Sequence, residues 1–209
     1  VIVVVDSTAL SLLVNPAATP PSDPETGQPV TLARERVEHM IAGLGTNGTL
    51  IIPTPVLAEV LVYAEVGAPG VLEQLNGLAR VRLRSFDVRA AIETAMMTRE
   101  AIQAGDKRGG STDPWQKVKI DRQIIAIART NNATRIYADD LGLISFARRL
   151  GMDAVSTWDL ALPPAETNLF TAIGLQADGS LAVASEAVGQ PEPKRRSLQL
   201  DDDTGEVGA

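Results

Sequence analysis

The stretch Val1-Ile2-Val3-Val4-Val5-Asp6 decides the class of fold. Its apolar residues are all β-branched and run without polar alternation, the pattern of a strand buried on both faces, as in parallel sheets. The run stops at a carboxylate, and a short helical stretch, Thr8–Val14, follows. The same unit recurs along the chain. Thr49–Ile52 reads as a second strand, and Thr54-Pro55 opens a helix with proline at its first position, where the missing amide is harmless. Val81, Leu83 and Phe86 enclose Arg82 and Arg84 in a third, half-exposed strand, after which Asp87 caps a helix running to about Ala104. Thr134–Ala138 is a fourth strand and Asp153–Ser156 a fifth, with the helix Leu141–Leu150 between them and Gly151 past its end.

The remaining segments fit around these units. Asn15–Pro29 carries Pro16, Pro20, Pro21 and Pro24 at its start and reads as an exposed loop or lid. Leu32, Val37, Met40, Ile41 and Leu44 recur at helical spacing in Thr31–Leu44, with Thr31 in the cap position. Gly105–Pro114 is a glycine-bearing loop, and Trp115–Thr130 is a helix with a broad apolar face from Val118 to Ala128. Strands alternating with helices at this spacing predict an α/β fold: a three-layer α/β/α sandwich with a mainly parallel central sheet of about five strands.

Composition narrows the chemistry. A chain of 209 residues with 44% hydrophobic and 22% charged residues is ordinary for a globular protein. There is no cysteine, which excludes thiolate nucleophiles and Cys-type zinc sites, and one histidine, His39, cannot supply a multi-histidine metal site. His39 falls in an amphipathic helix and reads as a surface or partner-facing residue. The longest apolar runs fall far short of the ~18 to 20 residues that span a membrane, so a cytoplasmic protein is expected, with no membrane partner. No phosphate-cradling Gly-x-x-x-x-Gly-Lys-Ser/Thr loop or Gly-x-Gly-x-x-Gly turn follows a strand. Asp6-Ser7-Thr8 also lacks the second carboxylate of the Asp-x-Asp start of haloacid dehalogenases.

The net charge of −7 is unevenly placed. Residues 1–162 hold 18 acids against 16 bases, whereas residues 163–209 hold 8 acids against 3 bases. Two parts are therefore expected: a domain over 1–162 and an acidic C-terminal extension over 163–209, partly disordered, with a weak hairpin signal at Gly174–Leu181.

Acidic residues fall where an open parallel sheet places its ligand site, beyond the carboxyl ends of the strands. Asp6 ends the first strand, and Asp139 and Asp140 end the fourth. Glu59 and Asp121 lie in helices able to reach the same crevice. Carboxylates that converge repel one another, and a hard divalent cation with oxygen ligands relieves that repulsion. Each acid also has a plainer reading: Asp6, Asp139 or Asp140 as a helix cap, Glu59 as solvated surface, and Asp121 as the partner of Lys117 one helical turn away.

Four motifs stand in order: Asp6-Ser7-Thr8-Ala9-Leu10 after a hydrophobic strand, Thr54-Pro55-x-x-x-Glu59, Asp121-x-x-Ile124-x-Ala126-x-Ala128, and a strand ending Tyr137-Ala138-Asp139-Asp140. Together they resemble the PIN-domain nucleases, which include the ribonuclease toxins of bacterial toxin–antitoxin pairs. The resemblance covers roughly Val1 to Leu162. It implies a PIN-like sheet and Mg²⁺- or Mn²⁺-dependent hydrolysis of RNA phosphodiester bonds. Asp6, Glu59, Asp121 and Asp139 take the family's acidic metal-site positions, with Asp140 as a further ligand or the alternative fourth acid. Ser7 takes the small polar position beside the first acid. The family often carries Thr or Ser two residues before the fourth acid, whereas this chain has Tyr137, or Ala138 if Asp140 is aligned.

An RNA substrate needs cations around an acidic pocket, because phosphate contacts dominate affinity. Lys107, Arg108, Lys117, Lys119 and Arg122 cluster in sequence near Asp121 and are expected to form that rim, with Trp115 available to stack a base. The resemblance further implies an antitoxin partner that occludes the crevice. The apolar faces of Thr31–Leu44 and of the helix beginning at Thr54 are the expected surfaces for it or for a homodimer. The rival expectation is a PIN-like module that has lost catalysis and acts by binding protein or RNA.

Overall fold

Solvent reaches 1% or less of Val3, Val4 and Val5, whose segment has strands along both edges and helices over its faces. In the computed structural model, which describes residues 1–64 and 67–164, β1 (Ile2–Val5) pairs in parallel with β2 (Thr49–Pro53) and with β4 (Arg135–Tyr137). β3 (Val81–Arg84) adds outside β2, and β5 (Asp153–Val155) outside β4. Among the described residues the sheet therefore runs β3-β2-β1-β4-β5, with every pairing parallel.

Parallel neighbours require crossovers, and helices supply them. α1 (Ser7–Val14) and α2 (Ala33–Gly43) join β1 to β2, while α3 (Thr54–Ala64) and α4 (Ala68–Gly77) lie between β2 and β3. α5 (Val88–Gln103) and α6 (Trp115–Thr130) carry the chain back past β1 to β4, and α7 (Leu141–Arg149) joins β4 to β5. Right-handed crossovers put the helices after β1 and β2 on one face and those after β3 and β4 on the other. The result is the parallel α/β/α architecture that the strand–helix alternation predicts. Strand order reverses between β1 and β4, the place in an open α/β sheet where a crevice opens at the carboxyl ends of the strands.

Several boundaries differ from the sequence reading, each for a local reason. Thr31 does not cap α2: the helix starts at Ala33, and Leu32 stands before it at φ 52° with no side-chain cap. β3 ends before Phe86, whose amide instead donates to Thr54 Oγ1 at 3.2 Å. α4 has no counterpart in the sequence reading. Its Pro69 stands in the first turn, where a missing amide breaks no helical bond. α2 is not an open apolar face either, since Ala33 and Val37 are buried and Met40 and Ile41 pack against the core. The exposed apolar side chains of α3 are Val62 and Tyr63.

Val1–Pro164 forms one unit. The extension expected from residue 163, with its hairpin signal at Gly174–Leu181, lies outside the described residues beyond Pro164. No helix among the described residues is long and apolar enough to cross a membrane.

Candidate metal centre

Asp6 follows β1 directly and serves as the N-cap of α1, its Oδ1 accepting the Ala9 amide at 2.8 Å. Its other oxygen, Oδ2, accepts the Asp139 amide at 2.7 Å. One carboxylate thus ties the end of β1 to the end of β4 across the point where strand order reverses. Asp6 is 4% exposed, and burial, with the charge of Asp139 beside it, pushes its carboxyl up to about 7. Each oxygen keeps a lone pair beyond its hydrogen bond, so capping and metal ligation are compatible.

Asp139 and Asp140 divide their work. Asp139 accepts the Thr157 amide on Oδ1 at 2.6 Å and the Thr157 hydroxyl on Oδ2 at 2.7 Å. Burial holds its carboxyl above the ordinary range, against the pull of those two bonds. Asp140 turns outward and caps α7, its Oδ1 accepting the Leu143 amide at 2.8 Å. Asp139 thus takes its hydroxyl partner from Thr157, in the 3-10 turn Thr157–Asp159 after β5. Sequence reasoning missed Thr157. Its signal is the β4–β5 register, in which Tyr137 faces Val155 and so sets residue 139 beside residue 157.

Lys117 forms the outer part of the site. Its Nζ donates to Asp140 Oδ1 at 2.7 Å, Asp113 Oδ2 at 3.0 Å and Asp121 Oδ2 at 3.3 Å. Burial opposes its charge, but the bonds to Asp140 and Asp113 and the charge of Asp121 outweigh that and hold the ammonium's pKa above its usual value. Its hydrogen bond in turn holds Asp113 below the ordinary carboxylate range. Burial pushes Asp121 up to about 6, the charge of Lys117 only partly offsetting it. Among the described residues, these three acids are the one set with carboxylate oxygens all within 4.8 Å of one another. The set differs from the expected quartet, in which Asp6, Glu59 and Asp139 join Asp121. Asp113 was not foreseen, because the sequence places it in a glycine-rich loop.

The expected acids share one cleft without forming such a set. Asp6, Glu59, Asp121, Asp139 and Asp140 all line a cleft of about 800 Å³, together with Ser7 and Lys117. Thr19, Pro21 and Ser22 of the proline-rich loop form part of its wall, with Trp158 among the other lining residues. Glu59 is exposed, whereas Asp6 and Asp121 are buried. The lining donors are hard oxygens, and neither Asp6 nor Asp139 is ion-paired among the described residues. That combination fits a divalent ion of the Mg²⁺ type.

The basic rim is only partly where it was expected. Lys117 lines the cleft, while Lys107, Arg108 and Lys119 are exposed outside its lining. Arg122 is not a rim residue. It is 1% exposed, and its guanidinium donates to Lys107 O at 2.7 Å and Thr98 Oγ1 at 3.1 Å. It also lies 5.3 Å from the ring centre of Trp115, so it joins α6 to α5 and the following loop rather than facing a ligand. Trp115 is engaged on this side, and Lys107 lies 5.3 Å from the same ring. His39 is exposed on α2, away from the cleft lining.

Among solved structures the chain is similar to VapBC2 from Rickettsia felis bound to a promoter DNA fragment. Identity is 16% and TM-score 0.47, covering 75% of this chain and 98% of that one. It is also similar to VapBC-1 from nontypeable Haemophilus influenzae, with 13% identity, TM-score 0.46, and 75% and 98% coverage. For Mycobacterium tuberculosis VapC20, a sarcin-ricin loop cleaving toxin, the values are 15%, 0.42, and 69% and 94%. No protein-family model matches the chain, and no curated protein matches it by sequence.

Proposed function

We propose that the chain is a metal-dependent endoribonuclease that hydrolyses RNA phosphodiester bonds with Mg²⁺ or Mn²⁺. One observation carries this reading: five carboxylates from four separate parts of the chain line a single cleft at the strand-order reversal. Asp6, Glu59, Asp121 and Asp139 would hold the ion, with Asp140 beside them. A bound divalent ion supplies water acidification and charge neutralisation at the phosphate without help from cysteine or histidine, which suits a chain with no cysteine and one histidine. The chain's own residues prepare the place. Asp6 and Asp139 present oxygens fixed by backbone amides, and Thr157 orients Asp139. Ser7, which lines the cleft, would hydrogen-bond a substrate or a water. Lys107, Arg108 and Lys119 supply exposed charge for the RNA backbone.

The motif resemblance extends the proposal to the toxin of a toxin–antitoxin pair, with an antitoxin covering the cleft. Exposed Val62 and Tyr63 on α3 are apolar contacts available to such a partner or to a second copy of the chain. The test is degradation of single-stranded RNA in Mn²⁺ and Mg²⁺, with Asp6→Asn as control. Cleavage that requires the metal and disappears in Asp6→Asn supports the enzyme. A parent chain that binds RNA or protein but cleaves nothing with either ion is the binding module instead.

A further inference from the structure

We propose that Lys117 is the built-in second cation of the cleft, so that the site takes one divalent ion and not two. This rests on the metal-dependent reading above and specifies how that site is loaded. Among the described residues lining the cleft, Lys117 is the one cation. Its ammonium has three donors, and three carboxylates from three places receive them: Asp113 one helical turn before it, Asp121 one turn after it, and Asp140 beyond β4. The position is fitted, not incidental. Asp140 cannot swing away without releasing the cap of α7. Facing the cluster is Gly142, where a Cβ would collide with Asp113 Oδ2 and press on Asp140 Oδ1 and Lys117 Nζ.

Charge then divides the cleft into two halves. At the inner end neither Asp6 nor Asp139 is ion-paired among the described residues, and the Asp139 charge opposes that on Asp6. A divalent ion would relieve that repulsion. At the outer end the oxygens of Asp113, Asp121 and Asp140 stand close enough to share one ion, but the ammonium already holds that place, taking only Oδ2 of Asp121 so that Oδ1 would serve the inner ion. A second divalent ion would meet a positive charge a few ångströms away and find the carboxylates engaged. Lys117 thereby performs, as part of the chain, the neutralisation that a second ion provides in two-metal sites.

The count of ions tests this directly. Mn²⁺ is titrated calorimetrically into the full chain, Lys117→Met, Lys117→Arg and Lys117→Met/Asp113→Asn. Expected are one ion per chain for the parent, two for Lys117→Met, one for Lys117→Arg, which keeps the charge, and one for the double variant, which loses a ligand of the second. One ion in Lys117→Met, or two in the parent, overturns the proposal and leaves the metal-dependent reading standing. No Mn²⁺ bound by any form removes both. Should Lys117→Met fail to fold, the parent count still decides: two ions overturn the proposal, and one ion in the parent and in Lys117→Arg supports it.

Discussion

Asp139 takes its orientation from Thr157, which is 3% exposed and offers both its amide and its hydroxyl to the two carboxylate oxygens. A partner of this kind, one step removed from the ion, typically changes metal affinity about 10- to 100-fold when it is lost. Thr157→Val keeps the side-chain volume and the amide bond but deletes the hydroxyl. Mn²⁺ affinity is expected to fall by roughly that factor, while stability in EDTA falls by only about 1 to 2 kcal/mol, the loss of one hydrogen bond to a carboxylate. Thr157→Ser should recover most of the affinity. Calorimetric titration beside urea denaturation separates the two effects. An unchanged affinity would show that the amide alone holds Asp139.

The cap positions show how much of each element was legible. Asp6, Asp87 and Asp140 cap their helices as their places before helical stretches suggested, because a carboxylate accepting an amide two or three residues on is a local event. The acids at the ends of β1 and β4 were legible for a similar reason: a hydrophobic strand that stops at Asp locates the crevice. What sequence did not carry was long-range pairing. The link from Lys117 to Asp140 spans 23 residues and depends on α6 starting two turns before Asp121. Arg122 was misjudged because a basic cluster in sequence says nothing of which side chain packs inward between α5 and α6. Its burial makes a prediction about the helix pair. Arg122→Ala should cost about 3 to 5 kcal/mol by opening a cavity and losing both hydrogen bonds, whereas Arg122→Met should cost about 1 to 3 kcal/mol, since it keeps the packed volume but leaves Lys107 O and Thr98 Oγ1 without their donor. Urea denaturation measures both, and filter binding of single-stranded RNA should show little change for Arg122→Met. A large loss of RNA affinity with stability intact would return Arg122 to the rim.

Across the whole molecule, the parallel sheet gathers negative charge at one end and leaves it partly uncompensated, so stability and metal binding are linked through pH. Burial raises Asp6 to about 7 and Asp121 to about 6, from 3.8 in each case. Raised acids bind protons more tightly in the folded chain, so their contribution is complete below about pH 4 and is lost as pH climbs through 6 and 7. Asp139, raised by burial as well, acts in the same direction, whereas Lys117 and Asp113 are silent in that window. Raised Lys117 loses its contribution only above its ordinary range, near 10.5 and beyond, and lowered Asp113 loses its own only as pH falls below about 4. In EDTA the chain is therefore expected to be less stable at pH 8 than at pH 5, by about 4 kcal/mol from Asp6 and Asp121. A divalent ion acts in the opposite sense, since its ligands must be deprotonated. The stabilisation by Mg²⁺ should be small at pH 5 and grow toward pH 8, and Asp6→Asn should flatten both dependences. Urea denaturation at the two pH values, in EDTA and in Mg²⁺, reads all of this. An EDTA form that gains stability from pH 5 to 8 would show that the carboxylates in the cleft ionise freely, and that the fold does not hold them at the cost a bound ion relieves.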